Sequence, residues 1–129
     1  MKKILIVDDE ADVCQYLTTL FRDNGYEPLT AKDGEEGIQL ARNEKPDLVT
    51  LDITMPKKSG IRFYREMKED AELKKIPIIV VTGVTGYGND PDEFKKFLST
   101  RKQVPPPEGF MSKPIDRDEL LEMVSKQLS

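Results

Sequence analysis

The segment Asp47-Leu48-Val49-Thr50-Leu51-Asp52-Ile53-Thr54-Met55-Pro56-Lys57-Lys58-Ser59-Gly60 passes from an apolar, strand-forming run into a loop. The run stops at one acid, Asp52, and Met55-Pro56 and Gly60 follow at once. A short apolar run bounded by turn residues reads as a buried strand. Asp52 therefore sits where a central strand ends. In open α/β sheets, ligands bind in the crevice outside the carboxyl ends of the strands. A carboxylate there is a nucleophile, a metal ligand or a helix cap. A second acidic cluster, Asp8-Asp9-Glu10, also closes an apolar run, Ile4 to Val7, and this favours a chemical use of the edge.

Outward from this segment the chain alternates strands and helices. Strand one is read as Lys3 to Asp8, apolar at consecutive positions as in a parallel strand covered on both faces. Helix one follows from about Glu10 to Asn24, with Val13, Leu17, Leu20 and Phe21 on one face and Gly25 ending it. Tyr26 to Ala31 is strand two. Asp33-Gly34 makes a turn, and helix two runs to about Glu44, where Pro46 prevents continuation. After strand three comes helix three, about Ser59 to Leu73, with Ile61, Phe63, Tyr64 and Met67 as its apolar surface. Pro77 to Thr82 is strand four. A glycine-bearing loop, Gly83 to Asn89, leads to helix four, which Asp90-Pro91 opens and whose stripe is Phe94, Phe97 and Leu98. Val104-Pro105-Pro106-Pro107 breaks the chain. Strand five is short, about Gly109 to Ser112. The last helix opens on a capping box from Asp116 to Glu119 and buries Leu120, Leu121, Val124 and Leu128. Five strands alternating with five helices predict one parallel sheet with helices on both faces and right-handed crossovers.

Composition narrows the function. A length of 129 residues fits one domain able to bury a core without staples. The net charge of −4 and the absence of a basic run remove the electrostatic footprint of direct nucleic-acid binding. The single Cys14 allows no intramolecular disulfide and reads as a reduced thiol on helix one. The opening Met-Lys-Lys and Ile4 to Val7 imitate a signal peptide, but the apolar run is too short and ends in acids. No run is long enough to span a membrane, so the expected location is the cytoplasm. The chain has no histidine, which excludes Ser-His and Cys-His catalysis and means that any phosphohistidine must come from another protein.

In a parallel sheet the strand ends share one edge. That edge gathers Asp8 and Asp9 from strand one, Asp52 from strand three, Thr82 from strand four and Lys113 from strand five. Carboxylates about 4 Å apart repel by roughly 4 kcal/mol per pair at an effective dielectric near 20. Lys113 offsets part of this. A Mg²⁺ ion, which takes carboxylate oxygens, waters and phosphate oxygens, would offset more. The set suits receipt of a phosphoryl group, where transfer is mainly positioning and charge neutralisation.

Val7-Asp8-Asp9-Glu10, Asp52-x-x-Met55-Pro56-x-x-x-Gly60, Val81-Thr82 and Phe110-x-x-Lys113-Pro114 together resemble a response-regulator receiver domain of two-component signalling, of the stand-alone type. The resemblance covers residues 1–129 as a single receiver domain with no attached output domain. It implies a flavodoxin-like, doubly wound five-stranded parallel sheet in the order 2-1-3-4-5 with five helices. It implies that Asp52 is the phosphoacceptor, taking a phosphoryl group from a sensor histidine kinase, a histidine phosphotransfer protein or a small phosphodonor. Asp9 and Asp52 would bind Mg²⁺ directly with the backbone carbonyl of Thr54, and Asp8 mainly through a water. Lys113 would pair with the phosphate, Thr82 would turn its hydroxyl towards it, and Phe110 would follow inward. The bond before Pro114 is expected to be cis. The only reactions expected of the chain are its own phosphorylation and dephosphorylation. Its output would be an altered surface of helix four, strand five and helix five, read by an unidentified downstream protein.

Each residue has a plainer reading: Thr82 can simply end a strand, Phe110 can be a fixed core aromatic, and Lys113 a surface lysine. The chain departs from the family in having Gly83 where Ala is common, a long span from Thr82 to Lys113 (31 residues by subtraction), and a triple proline before strand five. Gly83, Gly86 and Gly88 before it and Pro105 to Pro107 after it suggest that residues 83–109 form the adapted output surface. Two other functions compete. An aspartate-nucleophile phosphatase of the haloacid-dehalogenase type needs a second Asp two residues after the nucleophile, where this chain has Thr54. A pseudo-receiver would bind partners without phosphorylation, and the complete acidic set argues against it.

Overall fold

The computed structural model of the chain describes residues 1–53, 59–82 and 107–128. Five parallel strands, β1 (Lys3–Val7), β2 (Glu27–Ala31), β3 (Leu48–Asp52), β4 (Ile78–Thr82) and β5 (Gly109–Ser112), form one sheet. Their order is β2-β1-β3-β4-β5, as the receiver resemblance implies. The helices are α1 (Ala11–Asp23), α2 (Gly34–Glu44), α3 (Ser59–Glu69) and a C-terminal helix (Arg117–Leu128). The predicted fourth helix, the glycine-bearing loop before it and Pro105-Pro106 lie outside the described residues. No helix among the described residues is long and apolar enough to cross a membrane.

Strand side chains alternate between two cores because successive residues point to opposite faces. Leu5, Val7, Val49, Leu51, Ile78 and Val80 meet Ile38 and Ala41 of α2 and Phe63, Tyr64 and Met67 of α3. Ile4, Ile6, Leu48, Ile79, Val81 and Met111 meet Leu17, Leu20 and Phe21 of α1 and Leu120 and Val124 of the C-terminal helix. Residues Ile4 to Val7 and Leu48 to Leu51 are almost wholly removed from water. With both faces covered, polar groups can gather only at the strand ends.

Local signals set the boundaries. Gly25 takes a φ of +88° just beyond α1, which glycine adopts without steric cost. Asp33 caps α2 by accepting the Glu36 N–H at 2.8 Å, and Asp116 does the same for the Glu119 N–H at 3.0 Å. Helix α3 stops at Glu69, short of the Leu73 expected from sequence. The Asp70 carboxylate accepts the N–H groups of Glu72 (2.8 Å) and Leu73 (3.1 Å), and this local bonding competes with further α-helix. A separate 3₁₀ turn, Leu73–Lys75, leads into β4.

A buried ion pair fastens β5 to its neighbour. The Lys68 ammonium, its side chain 1% exposed, lies 2.7 Å from Glu108 Oε1. Glu108 Oε2 accepts the Ile78 N–H at 2.7 Å, and the Glu108 N–H donates to the Ile78 carbonyl at 3.0 Å. The side chain of Glu108 therefore joins α3 to the start of β4 immediately before β5 begins. Glu108→Ala would strand a buried ammonium and a backbone donor. We expect it to cost about 3 kcal/mol in urea unfolding. The pair Lys68→Met with Glu108→Gln should regain most of that loss, because the Gln carbonyl still accepts the Ile78 N–H.

Candidate functional site

Asp8 follows β1 directly, and its N–H donates to the Ala31 carbonyl at 3.0 Å, continuing the β1–β2 pairing past the assigned strand. Its carboxylate turns back on the chain, where Oδ1 accepts the Glu10 N–H at 2.8 Å. Asp8 is 3% exposed and Asp52, the last residue of β3, is 1% exposed. Lys113 comes one residue after β5, and the Lys113–Pro114 peptide bond is cis. The Lys113 Nζ reaches Asp8 Oδ2 at 3.3 Å, Glu10 Oε1 at 3.3 Å and Asp52 Oδ2 at 3.4 Å. Three elements remote in sequence thus meet at one ammonium.

The glycine of the Asp52–Gly60 pattern has a steric reason. A Cβ built on Gly60 would lie 2.5 Å from the Asp52 carbonyl oxygen and 2.7 Å from the Ile53 Cα. These neighbours are backbone and cannot swing aside. Any larger residue would push the start of α3 away from the end of β3.

Asp8, Asp9, Glu10 and Asp52 each bring one carboxylate oxygen within 4.8 Å of the others. This all-oxygen set suits a hard divalent cation. Burial and, behind it, repulsion within the set both show in its acidities. Burial pushes the Asp8 carboxyl up from 3.8 to about 6. The Glu10 N–H opposes that rise, the Asp52 charge adds to it, and Lys113 opposes it. Burial, then the Asp52 charge, also raises Asp9. For Lys113, burial pulls the ammonium down, but Asp52, Asp8 and Glu10 outweigh it and the net shift is up. The Cys14 thiol donates to the Asp8 carbonyl at 3.2 Å, and burial raises its pKa, so it rests as a protonated thiol.

The sequence-predicted residues Asp8, Asp9, Asp52 and Lys113 are thus brought together. Thr82 ends β4 with its backbone in register with Ser112 of β5. Phe110 packs partly buried against the core formed with α2 and α3. Thr54, expected to offer a backbone carbonyl, lies outside the described residues. Glu10 was read from sequence only as part of an acidic cluster, and its contact with Lys113 is an addition.

The family model for the response regulator receiver domain matches residues 4–125. Protein PilH of Pseudomonas aeruginosa is 35% identical over 129 residues, covering 100% of this chain and 99% of that protein. The polar-differentiation response regulator DivK of Brucella anthropi is 31% identical, covering 98% and 96%. Among solved structures, the chemotaxis response regulator CheY4 of Vibrio cholerae superposes with a TM-score of 0.79 at 26% identity, covering 99% of each chain.

The raised Asp8 acidity carries a pH dependence. Between about pH 4 and pH 6 folded Asp8 holds a proton that the unfolded chain has released. Stability from this group is therefore greatest at low pH, falls as pH rises through that window, and stays reduced above it. Asp8→Asn should stabilise the metal-free protein at pH 7.5. The gain should shrink towards zero near pH 4, measured as the wild-type-to-variant difference in urea midpoint across pH.

Proposed function

This chain belongs to the response-regulator receiver family, and we propose that it is a phosphoacceptor switch of a two-component relay, with Asp52 as the residue that takes the phosphoryl group. The observation carrying this reading is Asp52 itself: a carboxylate 1% exposed at the end of a central strand, with an ammonium 3.4 Å from Oδ2. A buried carboxylate that ended a strand for structural reasons alone would not need two further acids and a lysine around it.

In the proposed reaction an Asp52 carboxylate oxygen attacks the phosphorus of a phosphohistidine. The P–O bond forms as the P–N bond breaks, and the imidazole of the donor leaves with the electron pair. The donor is a sensor histidine kinase or a histidine phosphotransfer protein, since this chain contains no histidine. Asp8, Asp9 and Asp52, with the Thr54 carbonyl, would hold Mg²⁺. When bound, that ion adds positive charge to the acidic pocket and neutralises the phosphoryl oxygens. Lys113 pairs with the same oxygens as a point charge. Thr82 supplies a hydroxyl to the phosphoryl group, and Phe110 moves inward behind it. Receivers of this kind are signalling switches rather than enzymes acting on a separate substrate. Here the reaction stays on the chain's own Asp52, and the output is a protein contact through a surface that includes residues 83–109.

Treatment with acetyl phosphate and Mg²⁺ should add one phosphoryl mass to the wild-type protein. Asp52→Asn should take none, and an acyl phosphate on that variant would remove Asp52 from the role. Lys113→Ala should be less stable than wild type but still folded and able to bind Mg²⁺, while the change in amide exchange on phosphorylation weakens strongly. A normal exchange response in Lys113→Ala would confine Lys113 to balancing the charge of the carboxylates and remove it from the switch.

A further inference from the structure

An ammonium has three N–H donors. Lys113 has three carboxylates within reach, Asp8 Oδ2 at 3.3 Å, Glu10 Oε1 at 3.3 Å and Asp52 Oδ2 at 3.4 Å. With each donor committed, a phosphoryl oxygen can gain an N–H from Lys113 only by displacing one of them.

The three are not equally replaceable. The side chain of Asp8 is 4% exposed and is also pinned by the Glu10 N–H at 2.8 Å. The side chain of Asp52 is 1% exposed and, on the reading above, carries the phosphoryl group itself. The side chain of Glu10 is 60% exposed, so water can take over its lone pairs when it swings away. Exposed ion pairs are worth little and part cheaply, whereas breaking a buried pair leaves an uncompensated charge. Glu10 is thus the one partner of Lys113 that can leave without a large penalty.

We propose that Glu10 is a placeholder for the phosphoryl group: its carboxylate occupies one donor of Lys113 in the unmodified protein and yields that donor when Asp52 is phosphorylated. Glu10 is a positioning residue here, acting through Lys113. It holds the ammonium at the mouth of the pocket before the phosphoryl group arrives, and it competes with that group once it does. The inference rests on Asp52 being the phosphoacceptor.

The test uses beryllofluoride, which stands in for the phosphoryl group on the aspartate. Its occupancy is read by fluorine NMR at saturating Mg²⁺, and Mg²⁺ affinity is measured separately by calorimetry. Glu10→Gln should bind beryllofluoride about two- to fivefold more tightly, as expected for loss of one exposed competing ion pair. Its Mg²⁺ affinity should fall far less than on Asp9→Asn, because Glu10 contributes its charge to the acidic group and is not proposed as a ligand. Glu10→Asp keeps the charge but is one methylene too short for the contact, and it should also tighten.

Unchanged or weaker beryllofluoride binding in Glu10→Gln overturns the proposal. A loss of Mg²⁺ affinity as large as that of Asp9→Asn would make Glu10 a cation ligand instead and also overturns it. So does Glu10→Asp behaving as wild type, because the effect would then belong to charge in the neighbourhood and not to the contact. If beryllofluoride binds neither wild type nor either variant, the phosphoacceptor reading fails and the placeholder falls with it.

Discussion

The ammonium of Lys113 is what lets three carboxylates stand at one end of this sheet. Asp8 and Asp52 are both almost wholly buried, and each would be costly without a counter-charge. The sheet forces them together: with helices on both faces, the strand ends are the only places where polar groups escape the core. A single cation bound to three anions does not cancel their repulsion. Burial, with the Asp52 charge adding to it, leaves the Asp8 carboxyl holding its proton above the usual carboxylate range. The pocket is therefore charge-frustrated in its unmodified form. A divalent cation would relieve this shortage of positive charge.

Backbone geometry protects this arrangement. Gly60 allows the start of α3 to sit against the Asp52 carbonyl, so α3 and β3 are held at a spacing that one methyl group would spoil. The Glu10 N–H fixes one oxygen of Asp8, leaving the other for Lys113. Both features act through main-chain atoms beside the carboxylates.

Much of this was legible in the sequence because it depends on short-range pattern. The continuous apolar runs at Ile4 to Val7 and Leu48 to Leu51 marked strands buried on both faces, and the acids closing them marked the edge. Helical spacing picked out Leu17, Leu20 and Phe21 in α1 and Phe63, Tyr64 and Met67 in α3. The end of α3 was less legible, because apolar spacing ran on to Leu73 while the Asp70 side chain diverted two backbone donors. The contact between Glu10 and Lys113 spans 103 residues of separation, and the pair Lys68–Glu108 spans 40. Which of many surface acids and lysines meet is decided by strand order and side-chain reach, and no local pattern carries that information. Lys68 in particular follows Met67 on a helix and reads as an ordinary solvated charge until β5 is laid beside β4.

The double grip of Glu108 on Ile78 bears on how such a chain can change over generations. Strand pairing has a period of two, so a slip of one residue between β4 and β5 would exchange the faces of Phe110 and Met111 and carry Lys113 away from the carboxylates. Glu108 sets that register immediately before β5 begins, through its own backbone and side chain. The entropy of closing a connection grows slowly, by about 0.6 kcal/mol per doubling of its length. Insertions and deletions between Thr82 and Pro107 can then accumulate while the geometry of the reactive edge is conserved. The chemistry and the recognition proposed for this chain would then be separately heritable.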